Sequence, residues 1–115
     1  MEKLKFYNVA VNRNNIIGHA VNINLNHEYE YISINIRLIL SNGRIIDCMA
    51  ILNVGKEMIE RIQSDIDTIK FKIRRIFDDF KGDYLETFFT SIIKEEFGID
   101  EEQLRDNIKF ETYIE

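Results

Sequence analysis

The sequence predicts an α+β fold, in which an antiparallel sheet of four to five strands packs against one long and one shorter helix. The first half of the chain contains runs of alternating apolar and polar residues, which are typical of half-buried strands. A stretch from Ile59 to Phe80 instead repeats apolar residues at steps of three and four, which is typical of a helix. With 115 residues, the chain has the length of one domain, and we predict that residues 1–115 form it.

The first two predicted strands cover residues 4–11 and 16–26. Residues 4–11 are rich in β-branched and aromatic side chains, and the asparagine-rich segment 12–15 is suited to a turn. Within 16–26, Val21, Ile23 and Leu25 alternate with asparagines, so one side of this strand is expected to be buried. These strands form the first of two predicted N-terminal hairpins.

The second hairpin joins predicted strands at 29–40 and 45–52 through a turn at Asn42-Gly43. A two-residue loop would place Asp47 on the apolar side of the sheet. A three-residue loop with Gly43 in the left-handed conformation pairs Leu40 with Arg44 and places Arg37 opposite Asp47. Since the second register buries no unpaired carboxylate, it is the one we predict.

This register leaves four apolar side chains on the other side of the sheet, namely Ile39, Ile45, Met49 and Ile51. That side is too apolar to face water alone, so another part of the chain or a second subunit is expected to cover it. These four residues are the predicted interface.

The long helix is predicted over residues 54–80, with Asn53 or Gly55 at its start and Gly82 as its C′ residue. Its weak point is Ser64 to Thr68, which resembles an internal helix start. A break there is the alternative to the continuous helix that we expect. A continuous helix would be about 40 Å long, against a diameter of about 34 Å for a compact domain of this size. The excess length favours a homodimer.

The remaining predicted elements lie in the last third of the chain. Asp83 and Glu86 resemble a capping box that opens a helix ending at 97, and Asp100 opens a short helix through 106. Residues 108–114 alternate again and predict a strand that returns to the sheet.

The charge distribution is uneven, and it bears on partners. The net charge is −5, but residues 83–115 hold three basic and ten acidic residues, a local net of −7. Phosphates would be repelled there, so nucleic acid is not an expected partner, whereas a basic protein partner is. No apolar run has the length of a membrane span, and no signal peptide is expected. The single cysteine, Cys48, favours a reducing cytoplasm.

Two groups of residues are candidates for chemistry. Lys70 and Arg74 are helical neighbours and, with Arg75, predict a site for a small anion; the alternative is a solvated helix surface. His19 and Cys48 form a conceivable nucleophile pair across the sheet, although a buried structural role is expected for each. One cysteine and two histidines do not make a structural zinc set, and no metal or cofactor is predicted.

The sequence favours a non-catalytic protein-binding module, of the small acidic inhibitor or immunity and anti-defence type. An abundance of isoleucine, asparagine and lysine, whose codons are AT-rich, indicates an AT-rich bacterium or one of its phages. The first alternative is a dimeric binder of a small, nucleotide-like anion through Lys70, Arg74 and Arg75. The second is a small enzyme that uses His19 or Cys48.

Overall fold

The computed structural model describes residues 3–115 and has the predicted α+β architecture, with six strands and four α-helices in this range. The strands are β1 (Lys3–Phe6), β2 (Val9–Asn12), β3 (Ile16–Asn26), β4 (Tyr31–Leu40), β5 (Ile45–Asn53) and β6 (Ile108–Ile114). The helices are α1 (Lys56–Ser64), α2 (Ile66–Asp79), α3 (Leu85–Phe97) and α4 (Glu101–Asn107). Strands β3, β4, β5 and β6 form an antiparallel four-stranded sheet in that order, and β1 and β2 form a separate two-stranded sheet.

The prediction of one strand over residues 4–11, paired with 16–26, is wrong. The chain reverses at Tyr7-Asn8, so that Phe6 pairs with Val9 and the segment becomes a hairpin of its own. Tyr7 has a φ of 51°, a conformation that two-residue hairpin loops require and that tyrosine rarely adopts. Its backbone N–H donates to the Glu86 carboxylate at 3.2 Å, a long-range contact that helps to hold this turn.

The predicted register of the β4–β5 hairpin is confirmed. Leu38 lies opposite Ile46, and Arg37 lies opposite Asp47. The loop closes through the Leu40 N–H, which donates to the Arg44 carbonyl at 2.9 Å, while Gly43 has a φ of 85°. A glycine at that position therefore fixes which side chains of β4 and β5 share a face of the sheet.

The predicted continuous helix over 54–80 is wrong, because the chain leaves the helical path at Asp65. This residue has φ −119° and ψ 18°, and its N–H donates to the Ile62 carbonyl at 3.1 Å in a tighter turn. The Ser64 hydroxyl donates to the Arg61 carbonyl at 2.8 Å, which competes with the regular helical pattern. The break falls in the segment whose residues are poor helix formers.

The break removes the argument for a dimer that depended on helix length. Helices of 9 and 14 residues are about 14 and 21 Å long, well within the domain. The residues of the apolar stripe that are buried also differ from those that the heptad pattern predicts. Ile69, Ile73 and Phe77 are the buried positions of α2, whereas Ile76 is 37% exposed. The stripe therefore packs on the sheet of its own chain.

The ends of the last helices differ in part from the prediction. Helix α2 ends at Asp79, and Gly82 does not take the left-handed conformation of a C′ residue. Helix α3 begins after Tyr84 without a side-chain cap, so the predicted Asp83 capping box is not formed. Helix α4 does have the capping box expected at Asp100, with Gln103 as its second member.

A cluster of phenylalanine rings fills the space between α2, α3 and the sheet. Phe89 is fully buried, and its ring contacts those of Phe6, Phe88 and Phe110 at centroid distances of 5.4, 5.9 and 6.3 Å. Because Phe6 comes from β1 and Phe110 from β6, this cluster joins the small hairpin, the main sheet and α3. No helix within residues 3–115 has both the length and the apolar composition needed to cross a lipid bilayer.

Arg13 closes the C-terminal end of α2 from a distant part of the sequence. Its guanidinium donates to the Phe80 carbonyl at 3.2 Å and to the Gly82 carbonyl, and it lies 5.6 Å from the centre of the Phe80 ring. The last turn of α2 has no basic residue of its own. Arg13 therefore supplies the positive charge that a helix C-terminus favours.

Replacing Arg13 with alanine is expected to lower the free energy of unfolding by about 1–2 kcal/mol, because charge-assisted hydrogen bonds to two carbonyls are lost. Urea unfolding followed by circular dichroism measures the change. Arg44→Ala is the matched control, since Arg44 is exposed and its side chain forms no hydrogen bond or salt bridge with any group in residues 3–115. Equal stabilities for the two variants would contradict the capping role.

Candidate protein-binding face

The main sheet has one covered face and one open face. Alternate residues of the strands, such as Ile34, Ile36 and Leu38, join the buried residues of the helices in one hydrophobic cluster. The side chains between them point the other way, and we call this surface the open face. In β3 to β6 it consists of Gly18, Ala20, Asn22, Asn24, Asn26, Tyr31, Ser33, Asn35, Arg37, Ile39, Ile45, Asp47, Met49, Ile51, Asn53, Lys109, Glu111 and Tyr113.

The four residues of the predicted interface all lie on the open face. Ile39 and Ile45 are cross-strand neighbours at one end, and Met49 and Ile51 follow along β5. Each is partly exposed, and within residues 3–115 none belongs to the hydrophobic cluster or packs against it. The structure therefore shows an apolar surface at these positions that the described chain does not cover, while their role as an interface stays a prediction.

An ion pair occupies the centre of the open face, between the two apolar pairs. The Arg37 guanidinium donates to both oxygens of the Asp47 carboxylate, at 2.9 and 3.0 Å, and the Asn35 amide donates to the same carboxylate at 3.2 Å. The hydrogen bonds from Arg37 lower the pKa of Asp47; burial opposes this, and the bond from Asn35 supports it. Asp47 is 7% exposed, so this is a buried carboxylate whose charge is compensated.

Two polar groups of this centre keep unused hydrogen-bonding capacity. The side-chain carbonyl oxygen of Asn35 is buried and has no hydrogen-bond partner within residues 3–115. The Arg37 side chain is 40% exposed, and its contacts with Asp47 use two of its five N–H groups. Because that oxygen has almost no accessible area, the groups at this centre that a second molecule can reach are the spare N–H groups of Arg37.

Strand β6 forms the border of the open face. Glu111 accepts hydrogen bonds from the Tyr113 hydroxyl at 2.7 Å and from Lys109 at 3.2 Å. The bond from Tyr113 lowers the pKa of Glu111 and raises that of Tyr113. Within the four strands, the charges of this face are Arg37, Asp47, Lys109 and Glu111, which sum to zero; Glu115, which follows β6 and pairs with Ile45, adds one negative charge at the edge. The rest of the chain therefore carries the net charge of −5.

The predicted anion site lies elsewhere, on the exposed side of α2. Lys70, Arg74 and Arg75 form no salt bridge with any group in residues 3–115. The Arg75 guanidinium lies 5.8 Å from the centre of the Phe71 ring, which is itself 58% exposed. These cations are spread along the helix surface rather than gathered around a cavity, and the anion site stays a prediction.

Of the grooves with volumes of ≈ 380 to ≈ 390 Å³, two lie beside α3 or α4, and neither contains these cations. One lies along the exposed side of α3, and the other lies between the end of β5, α1 and α4. The second has the volume of a small-ligand site, but its lining residues are uncharged. It therefore does not add an anion site to the chain.

His19 and Cys48 are not brought together. Cys48 is fully buried on the covered face, and burial raises its pKa to about 12, so it stays a thiol at neutral pH and is a poor nucleophile. Strand β4 separates the strands that carry the two residues. His19 lies against the Phe77 ring, and its Nε2 is 3.3 Å from an Asp78 carboxylate oxygen, which links β3 to α2. Among residues 3–115, no three histidine, cysteine, aspartate or glutamate side chains are placed to hold a metal ion.

Asn35 is the residue of this face that the sequence did not reveal. It appeared as one polar position in an alternating strand, and its contact with Asp47 depends on the register of two strands.

Comparison with protein-family models, with curated proteins and with solved structures finds no match for this chain.

Proposed function

We propose that this chain is a non-catalytic protein-binding module that acts through its open face. The observation that carries the proposal is the pairing of partly exposed apolar residues, Ile39 with Ile45 and Met49 with Ile51, on a sheet face that residues 3–115 leave uncovered. Apolar side chains with polar residues at the border are typical of protein interfaces, and methionine and arginine are enriched in them although aspartate is depleted. The acidity of the C-terminal third supports the small inhibitor or immunity type within this class.

The composition of the open face favours a protein surface over a small ligand. It is a broad sheet surface, whereas small molecules are usually held in concave cavities. Tyr31, Tyr113 and Arg37 add the amphipathic and planar side chains that are enriched in interfaces. The spare N–H groups of Arg37 provide a position at which an acceptor from a partner would be selected.

A photo-cross-linking amino acid in place of Met49 tests the proposal in the cell that makes the protein. We expect irradiation to give a covalent adduct with a protein, because the side chain at position 49 lies on the open face next to the central ion pair. The same amino acid in place of Phe71 is the control, since that position is exposed on α2, away from the open face. Adducts at position 71 but none at position 49 would refute binding through this face.

A further inference from the structure

We infer that the partner of the open face is a second copy of this chain, and that the two open faces pack on each other in a symmetric homodimer. This inference rests on the proposed function, because it names the occupant of the same surface. It does not depend on helix length, which the break at Asp65 has removed as an argument.

The size of the open face is sufficient for a dimer interface. Four strands spaced about 4.8 Å apart, with about eight residues of about 3.3 Å each, cover roughly 500 Å² in projection. The accessible area of a face that carries side chains is larger than its projection. Two such faces would thus bury at least about 1,000 Å², which is the lower limit for a specific protein interface.

The charge of the open face favours a copy of the same chain. The strand charges on this face sum to zero, and Arg37 with Asp47 and Lys109 with Glu111 are already paired within the chain. Apart from Glu115 at the edge, a strongly basic or acidic partner would find no opposite net charge here. Two faces of such low net charge can meet with little of the repulsion that chains of net charge −5 would otherwise experience.

An exposed donor lies close to the centre of β4. Arg37 has spare N–H groups on a side chain that is 40% exposed, and it lies on β4 two residues from Asn35. In a two-fold interface, a contact from one residue to another occurs twice. A two-fold axis that lies between the sheets, passes over β4 at Ile36 and runs across the strands would place Arg37 over the partner's Asn35.

The same axis fixes the contacts of β5. Cys48 is the cross-strand neighbour of Ile36, so positions that are equally far from residue 48 in opposite directions face each other. Ile45 then lies over the partner's Ile51, and the reverse contact forms by symmetry. The apolar side chains at the two ends of β5 therefore cover each other, as in the packing of two aligned sheets.

Sedimentation equilibrium of the purified full chain tests the dimer. We expect the wild-type protein to have twice the mass of one chain, and Ile51→Lys to have the mass of one chain while keeping its circular dichroism spectrum. Phe71→Lys is the matched control and is expected to remain dimeric, because it places the same charge on an exposed apolar residue of α2. A wild-type mass of one chain at the highest soluble concentration would overturn the inference, as would a dimeric Ile51→Lys.

A cross-link tests the orientation of the two copies. In the double variant Ile45→Cys, Ile51→Cys, a short bis-maleimide is expected to join two chains, whereas the single variant Ile45→Cys is not expected to react in this way. Positions 45 and 51 are too far apart on one strand to be joined within a chain. A dimeric protein without this cross-link would overturn the face-to-face arrangement.

The two proposals fail in different ways. If the chain is a monomer and position 49 nevertheless gives an adduct with a different protein, the homodimer is wrong and the protein-binding function stands. If position 49 gives no protein adduct in the cell and the purified chain is a monomer, both are wrong.

Discussion

Phe89→Ala is expected to lower the free energy of unfolding by about 3–5 kcal/mol, the range for removal of a buried phenylalanine ring. Phe89 is fully buried and contacts rings from β1, α3 and β6, so its loss leaves a cavity where three elements meet. Small domains have a total stability of about 5–15 kcal/mol. The variant is therefore expected to be much less stable, with an unfolding midpoint at a clearly lower urea concentration.

Urea unfolding at equal protein concentrations measures this effect, since the stability of a dimer depends on concentration. Thr87→Ala is the control on the same helix, where an exposed side chain is expected to matter by less than about 0.5 kcal/mol. If Phe89→Ala does not fold, Phe89→Leu gives a smaller cavity and a measurable loss. A loss below about 1 kcal/mol for Phe89→Ala would contradict the central position of this ring, given the usual range for such cavities.

Asp47→Asn is expected to be the most damaging change on the open face, with a loss of about 1–3 kcal/mol at neutral pH, the range for hydrogen bonds to a charged group. The amide accepts fewer hydrogen bonds than the carboxylate and leaves Arg37 without its counter-charge. Ser33→Ala is the control, because Ser33 is equally buried on the same face but takes part in no side-chain hydrogen bond described in residues 3–115.

The pH dependence of the free energy of unfolding tests whether the charged carboxylate of Asp47 stabilises the fold. The pKa of Asp47 is lower in the folded than in the unfolded state, so the unfolded state binds more protons at acidic pH. Its stabilising effect is complete above the unfolded pKa of about 3.9, and it is lost as the pH falls through the folded pKa. Wild-type stability should therefore decrease below about pH 4 more steeply than that of Asp47→Asn. Parallel pH profiles for the two proteins would contradict this assignment.

One part of the fold that the sequence predicted correctly in detail is the β4–β5 hairpin. Gly43 limits the loop conformation, and Asp47 would be buried without a partner in the competing register, so two independent constraints select one pairing. The open face follows directly from that pairing. Its four apolar residues could therefore be located from the alternation of side chains along these two strands.

The parts that the sequence did not predict depend on unusual conformations or on contacts between distant residues. A tyrosine at positive φ gives no sequence signal for a turn, so the sequence predicts a continuous strand where the structure has the hairpin at Tyr7. The heptad pattern favoured a continuous helix, but local competition at Ser64 and Asp65 decided otherwise. The contacts of Arg13 with the end of α2 and of Asn35 with Asp47 arise only after distant elements have been placed.

The break at Asp65 also has a consequence for the order of folding. Isolated helices shorter than about 12–15 residues are marginal in water, and α1 and α2 have 9 and 14 residues. The β3–β4–β5 segment, in contrast, is joined by short connections and can pair locally. We therefore expect these three strands to pair early and to act as the template on which α1 and α2 become helical. Strand β6 pairs with β5 across more than 50 residues of chain, so we expect it to join the sheet late.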